Sequence, residues 1–399
     1  MENYAQFRSP QTILYGRNSY EKIASEASLL GKKALIISDQ VIESLGFLRK
    51  CDDLLEESGI QRCFYIGVQS EPTDNFVSEA LELFKDENCD FIISIGGGSC
   101  IDTAKAISIV ASNGGYIGDY MGMKKIAKNK PIPHIAVPTT AGTGSEATDV
   151  TIITNTTTDV KMMIKQPALM PTVAIVDPLL TISSPQHVTA ATGVDALSHA
   201  IEAYISKKSH PMTDTLALSA MKLIVNNLLT AYEDGESLDA REAMSLGSMQ
   251  AGMAFSNASV CLVHGMSRPI GALFHVPHGY SNAMLLTAVL EFSKDACIER
   301  LADLGRIFDG DYIKKSDEEA AEKAVQAVKS LCMTLKIPNL QGWGIDSEQF
   351  TSAVPKMAND ALASGSPANN PRVPTQAEIE ELYRVCYHYE FKGESTIKY

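Results

Sequence analysis

From residue 31 to residue 177, short apolar runs alternate with amphipathic stretches. ALIIS (34–38), RCFYIGV (62–68), FIISI (91–95), IPHIAVP (132–138) and TVAIV (172–176) are strand-length runs bounded by turn residues. Between the first three lie VIESLGFLRKCDDLLEES (41–58) and EPTDNFVSEALELFKDENC (71–89), whose apolar residues recur at helical spacing. Apolar strands separated by helices predict a parallel sheet covered on both faces. TIITN (151–155) and VKMMI (160–164) flank the polar turn TTTD (156–159) and predict a β-hairpin appended to that sheet.

After Pro185 the pattern changes. Leu216, Ala220, Leu223 and Leu228 keep helical spacing, as do the apolar residues of REAMSLGSMQAGMAF (241–255), ACIERLADLGRIF (296–308) and EEAAEKAVQAVKSLCMTL (318–335). No strand-like run follows. The expected division is an α/β domain over residues 1–184 and an all-helical domain over 185–399, and 399 residues suffice for two cores.

Composition narrows the function classes. Charged residues make up 21% and hydrophobic residues 45%, the balance of a globular chain. A net charge of −14 with no basic stripe argues against nucleic acid and anionic membranes as partners. The eight cysteines have no pairing rhythm and read as reduced thiols. The first residues resemble no targeting segment, and no apolar run reaches the ~18 residues that span a bilayer, so a cytoplasmic location is expected.

Candidate chemistry concentrates between Thr192 and Gly279. Asp195 and His199 stand four residues apart on one helical face, otherwise lined by Ala, Leu, Ile and Tyr. Further on, VHGMSRPIGALFHVPHG offers His264 and His278, with His275 between them. Five of the eight histidines (199, 210, 264, 275 and 278) fall in this region. Three imidazoles and a carboxylate form a mixed N/O set for a divalent first-row metal. A solvated ion pair is the alternative for Asp195 and His199.

The first half offers phosphate-binding loops. FIISIGGGSCIDTAKA runs from a strand through Gly96, Gly97, Gly98 and Ser99 into a helix, where backbone N–H groups and the helix N-terminus favour a pyrophosphate. It is not GxGxxG, and a plain tight turn is the alternative. PTTAGTGSEAT (138–148) follows another strand, and two such loops at strand carboxyl ends mark a nucleotide crevice. Asp39, directly after ALIIS, suits a ribose diol or a helix N-cap.

PTTAGTGSEAT, GGGSCIDTAKA, DALSHAIEAY and the spaced HG…HVPHG resemble the iron-containing (group III) alcohol dehydrogenase family over essentially the whole chain. The resemblance implies a dinucleotide-binding α/β domain, an all-α C-terminal domain and a metal between them, in a dehydroquinate synthase-like architecture. It implies Asp195, His199, His264 and His278 as metal ligands, with Fe(II) the expected metal and Zn(II) compatible with the same donors. It assigns Gly97, Gly98 and Ser99 to the pyrophosphate, and Thr139, Thr140, Thr148 and Lys161 to phosphate, ribose and nicotinamide. Leu179 falls on the adenosine side, and Asp39 favours NAD. Without the resemblance, Lys161 reads as an exposed strand lysine. A homodimer or larger homo-oligomer is expected.

Three positions depart from the family pattern. Arg268 stands where many members have His, Glu71 where Asn often precedes the Pro, and Cys261 where Gly is frequent. The expected activity is hydride transfer between a small alcohol or aldehyde and nicotinamide. Arg268 suggests a substrate with an anionic group, such as a semialdehyde or sulfoacetaldehyde, with an internal ion pair to a neighbouring helix as the alternative. His275 is a candidate for exchanging the proton, or a structural residue beside the ligand loop. Val150 and Phe255 are candidate pocket residues. Two other classes are a metal- and NAD-dependent lyase or cyclase of the dehydroquinate-synthase type, against which no crowd of Lys and Arg stands out, and a non-catalytic NAD-binding scaffold.

Overall fold

A computed structural model describes residues 4–69 and 71–391. In chain order it places β1 (Thr12–Tyr15), α1 (Ile23–Leu30), β2 (Lys33–Ile37), α2 (Gln40–Ser44), α3 (Phe47–Glu57), β3 (Gln61–Tyr65), α4 (Asp74–Asp86), β4 (Phe91–Gly96), α5 (Gly98–Asn113) and β5 (His134–Pro138). Then come β6 (Val150–Asn155), β7 (Val160–Lys165) and β8 (Val173–Val176). The remaining helices are α6 (Gln186–Ile205), α7 (Pro211–Glu233), α8 (Leu238–Ala258), α9 (Leu262–Phe274), α10 (His278–Ser293), α11 (Ile298–Phe308), α12 (Asp317–Thr334), α13 (Leu340–Trp343), α14 (Ser347–Ala363) and α15 (Gln376–Tyr387). No strand is assigned after Val176 among the described residues.

Six strands form one parallel sheet in the order β1-β8-β5-β4-β2-β3. The central strands are apolar throughout because both faces are covered. Leu35, Ile37 and Ile92 pack into a core with α4 and α5, whereas Ile36, Ile93 and Ile135 pack into another with α1 and α3. Burying a side chain such as Ile93, which is fully enclosed, stabilises by about 1.5–3 kcal/mol. Strand order reverses between β2 and β4, so the carboxyl ends of these strands flank a crevice. Asp39 and the glycine turn at 96–98 lie there.

The hairpin is formed by β6 and β7, antiparallel and separate from the large sheet. Two expectations are corrected. β1 had no counterpart in the apolar pattern; TILY is four residues on the sheet edge, recruited by parallel pairing with β8. The stretch 41–58 is two helices, because Gly46 adopts a left-handed backbone (φ 81°) between α2 and α3.

The proposed division after residue 184 falls between the turn Pro178–Thr181 and α6. The helical part has its own large core, built on α6 to α15. The eight cysteines are free, all but Cys63 and Cys297 buried. No described helix is long and apolar enough to cross a membrane.

Candidate active site

Helix α6 is enclosed by α7, α8 and α10, and its residues from Gly193 to Ile205 are all buried. Asp195 (1% exposed) and His199 (4%) therefore lose water on a helix that offers few local polar partners. α9 brings His264 against them, and His278 is the first residue of α10. One ligand atom from each of the four residues lies within 4.8 Å of the other three. The His199 and His264 rings stack with centroids 4.4 Å apart.

The charges fit a cation. Burial opposes ionisation of Asp195, but the surrounding imidazoles outweigh it and hold its carboxyl below the usual range. Burial pushes His199 down to about 4, against the attraction of Asp195. At neutral pH that gives a carboxylate and a neutral imidazole, the forms that bind metals. Burial also works against charge on His264, yet Glu202 and Asp195 lift it to about 9, so the two carboxylates draw a positive charge to this point. His199 Nδ1 is buried without a hydrogen-bond partner among the described residues, which is costly unless a metal takes its lone pair. The donor set of three nitrogens and one oxygen suits Fe(II) or Zn(II).

A cavity of about 410 Å³ opens beside this cluster and reaches the glycine loop, with Gly98, Ser99, Thr148, Lys161, His264 and His278 on its wall. The loops interlock: a Cβ on Gly98 would lie 2.8 Å from Thr143, and one on Gly252 of α8 would lie 2.5 Å from the Gly144 carbonyl oxygen. Gly144 has φ 60°. Beneath them Lys105, buried and pushed down to about 8 by burial, donates at 2.8 Å to Ser145 Oγ, Thr148 Oγ1 and the Val150 carbonyl. Ser145 in turn donates to Asp102 Oδ1 at 2.6 Å, tying α5 to the second loop. Lys105 and Asp102 were not singled out from sequence; both sit in GGGSCIDTAKA, where a helical i, i+3 charge pair was the available signal.

The other sequence candidates fall as follows. Asp39 caps α2, with Oδ1 accepting from Ile42 N at 2.9 Å, while Oδ2 accepts from Cys100 Sγ at 3.6 Å at the crevice. Thr139 N donates to the Gly96 carbonyl, Thr140 lies against Gly97, and Leu179 is half-buried in the turn after β8. Lys161 is no exposed strand lysine: its side chain is 8% exposed and paired with Glu71 on the cavity wall. Val150 and Phe255 also line the cavity, and Phe255 stacks on His199 at 4.3 Å.

His275 is exposed, in a left-handed conformation that ends α9, and is not among the residues lining the cavity. Arg268 has no carboxylate within ion-pair distance among the described residues; its Nη1 donates to Ser366 Oγ at 3.1 Å. Sequence reading also saw no cluster of cations, yet folding gathers Lys161, Lys165, Lys208 and Arg268 around one cavity.

Glu202 and Asn282 were missed as well. Asn282 Nδ2 lies 2.6 Å from Asp195 Oδ1, 3.0 Å from His264 Nε2 and 3.1 Å from His278 Nε2. Both residues continue a ligand helix face, Glu202 three residues after His199 and Asn282 four after His278.

Residues 10–178 match the iron-containing alcohol dehydrogenase family and residues 189–387 match its C-terminal region. An NAD-dependent methanol dehydrogenase of Bacillus methanolicus is 38% identical over 95% of this chain and 98% of its own. The crystal structure of a 1,3-propanediol oxidoreductase superposes with a TM-score of 0.92 at 39% identity, over 96% of this chain and all of that one. A sulfoacetaldehyde reductase from Bifidobacterium kashiwanohense, in complex with NAD+, gives 0.86 at 28%, over 97% of this chain and all of its own. The chain is thus an NAD-dependent oxidoreductase and belongs to the iron-containing alcohol dehydrogenase family.

Proposed function

We propose that this protein interconverts a small alcohol and its aldehyde by hydride exchange with NAD(H), on a substrate whose far end carries a carboxylate or sulfonate. Asp195, His199, His264 and His278 hold a divalent metal, Fe(II) by family and Zn(II) by donor chemistry. When bound, the metal supplies Lewis acidity towards the substrate oxygen, and the nicotinamide supplies or accepts the hydride.

The chain's own residues do the rest. Gly97, Gly98 and Ser99 present backbone N–H groups at the N-terminus of α5 to the pyrophosphate. Asp39 turns its crevice-side oxygen to the adenosine ribose, and Leu179 packs on the same side. Thr139, Thr140 and Thr148 border the path between the loops, and Lys161 stands beside the nicotinamide end. Phe255, stacked on His199, is an apolar wall that keeps water from the reacting carbon.

Arg268 carries the substrate reading. Its guanidinium lines the cavity beside the ligand cluster, without a carboxylate partner among the described residues. Desolvation pushes it down to about 10, against the pull of Glu202, so it stays a cation at neutral pH. A guanidinium on a cavity wall with no carboxylate at ion-pair distance among the described residues favours an anionic ligand, which it binds through two N–H groups. Lys161 and Lys165 are already paired, with Glu71 and Asp149. The test compares kcat/KM for a charged and a neutral short aldehyde in wild type and Arg268→Ala. The charged substrate should lose about 10- to 100-fold, or about 1.5–3 kcal/mol, and the neutral one much less. Equal losses on both would discard the anion reading.

The same reading places the protein in the cytoplasm, on its free thiols, and gives it a homo-oligomeric state that light scattering would measure.

A further inference from the structure

Glu202 has no assigned part in the chemistry, yet it is the most tightly placed carboxylate near the ligand cluster. It is 1% exposed. Its Oε2 accepts from His264 Nδ1 at 2.5 Å, and its Oε1 accepts from the Val263 backbone N–H at 2.6 Å. It follows Asp195 and His199 on α6 at i+7 and i+3, so all three face the same way. α6 therefore carries two ligands and the carboxylate that grips a third from a different helix. A buried carboxylate without partners would be costly; both oxygens of Glu202 are used, one on the ring and one on the backbone at the start of α9.

We infer that Glu202 is a positioning residue of the metal centre: it fixes the proton of His264 on Nδ1 and the ring's orientation, so that Nε2 is the nitrogen offered to the metal. The geometry supports this directly. Nε2 is 3.6 Å from Asp195 Oδ1 and faces the other ligands, whereas Nδ1 faces Glu202. The Val263 contact adds a second constraint, because the same carboxylate that orients the ring also holds the backbone one residue before it. A merely structural Glu202 would hold the α9 backbone and leave the ring's tautomer free.

The inference rests on the proposed metal centre, and the experiment separates the two. Glu202→Gln keeps size and an oxygen for Val263 N–H, but turns an amide N–H₂ towards Nδ1, which forces the ring proton onto Nε2. Metal-stripped wild type and variant are titrated with Zn(II) in a competition assay. The variant should bind zinc about 10- to 100-fold more weakly, with circular dichroism unchanged. In parallel, zinc-loaded wild type labelled with ¹⁵N-histidine should show a hydrogen-bonded proton on His264 Nδ1, a reading that needs no variant to fold. Equal zinc affinities, or a His264 proton on Nε2, overturn the role of Glu202 alone. Wild type that takes up no zinc or iron overturns the metal centre and this inference with it.

Discussion

Lys161 on β7 and Glu71 in the segment before α4 form an ion pair on the wall of the cavity. The pair joins the hairpin to the large sheet's side of the crevice, close to His278, whose charge burial disfavours most and Lys161 disfavours further.

Removing the lysine alone takes a positive charge from the cavity wall, where the proposed path of the anionic cofactor runs, and keeps the Glu71 charge. Lys161→Met should therefore raise KM for NAD+ about tenfold, equivalent to about 1.4 kcal/mol. Glu71→Gln removes the repulsion and should lower KM or leave it unchanged. Initial rates at varied NAD+ decide it, and a rise of the same size in both variants would contradict the electrostatic argument.

The second loop is held by backbone contact that only glycine permits. A Cβ at position 252 would lie 2.5 Å from Gly144 O and 2.9 Å from Gly144 Cα. Backbone cannot rotate out of the way as a side chain can. Gly252→Ala should cost about 1–3 kcal/mol in urea unfolding and weaken NADH binding measured by fluorescence. Unchanged stability would mean that the loop has slack that its neighbours do not suggest.

His134 is buried in the sheet and predicts a pH dependence of stability. It opens β5, its Nε2 is 2.7 Å from Ser94 Oγ, and burial pushes its pKa down to about 3. Unfolded, it titrates near about 6.5. Between these values the unfolded chain binds a proton that the native chain refuses, so stability rises with pH in this window and falls on acidification. The loss is about 1.4 kcal/mol per pH unit below about 6.5. In urea melts at several pH values, His134→Gln should flatten this slope by about one proton, and an unaltered slope would assign the dependence elsewhere.

Much of this was legible in the chain. Parallel strands buried on both faces must be apolar throughout, so ALIIS, FIISI and TVAIV reveal themselves. Helical spacing brings Asp195 near His199, and the glycine turns after two strands mark the crevice, because these are local consequences of covalent geometry.

Tertiary structure decided what depends on partners distant in sequence. TILY became a strand only through β8, and His264 and His278 met α6 only once α9 and α10 packed against it. Exposure of His275, pairing of Lys161 with Glu71 and the bond of the Arg268 guanidinium to Ser366 follow from how the elements pack. Glu202 gains its meaning from a nitrogen sixty-two residues away. Residue type and spacing state what a side chain can do; folding sets its neighbours, and the neighbours fix its charge, its hydrogen bonds and its access to a substrate.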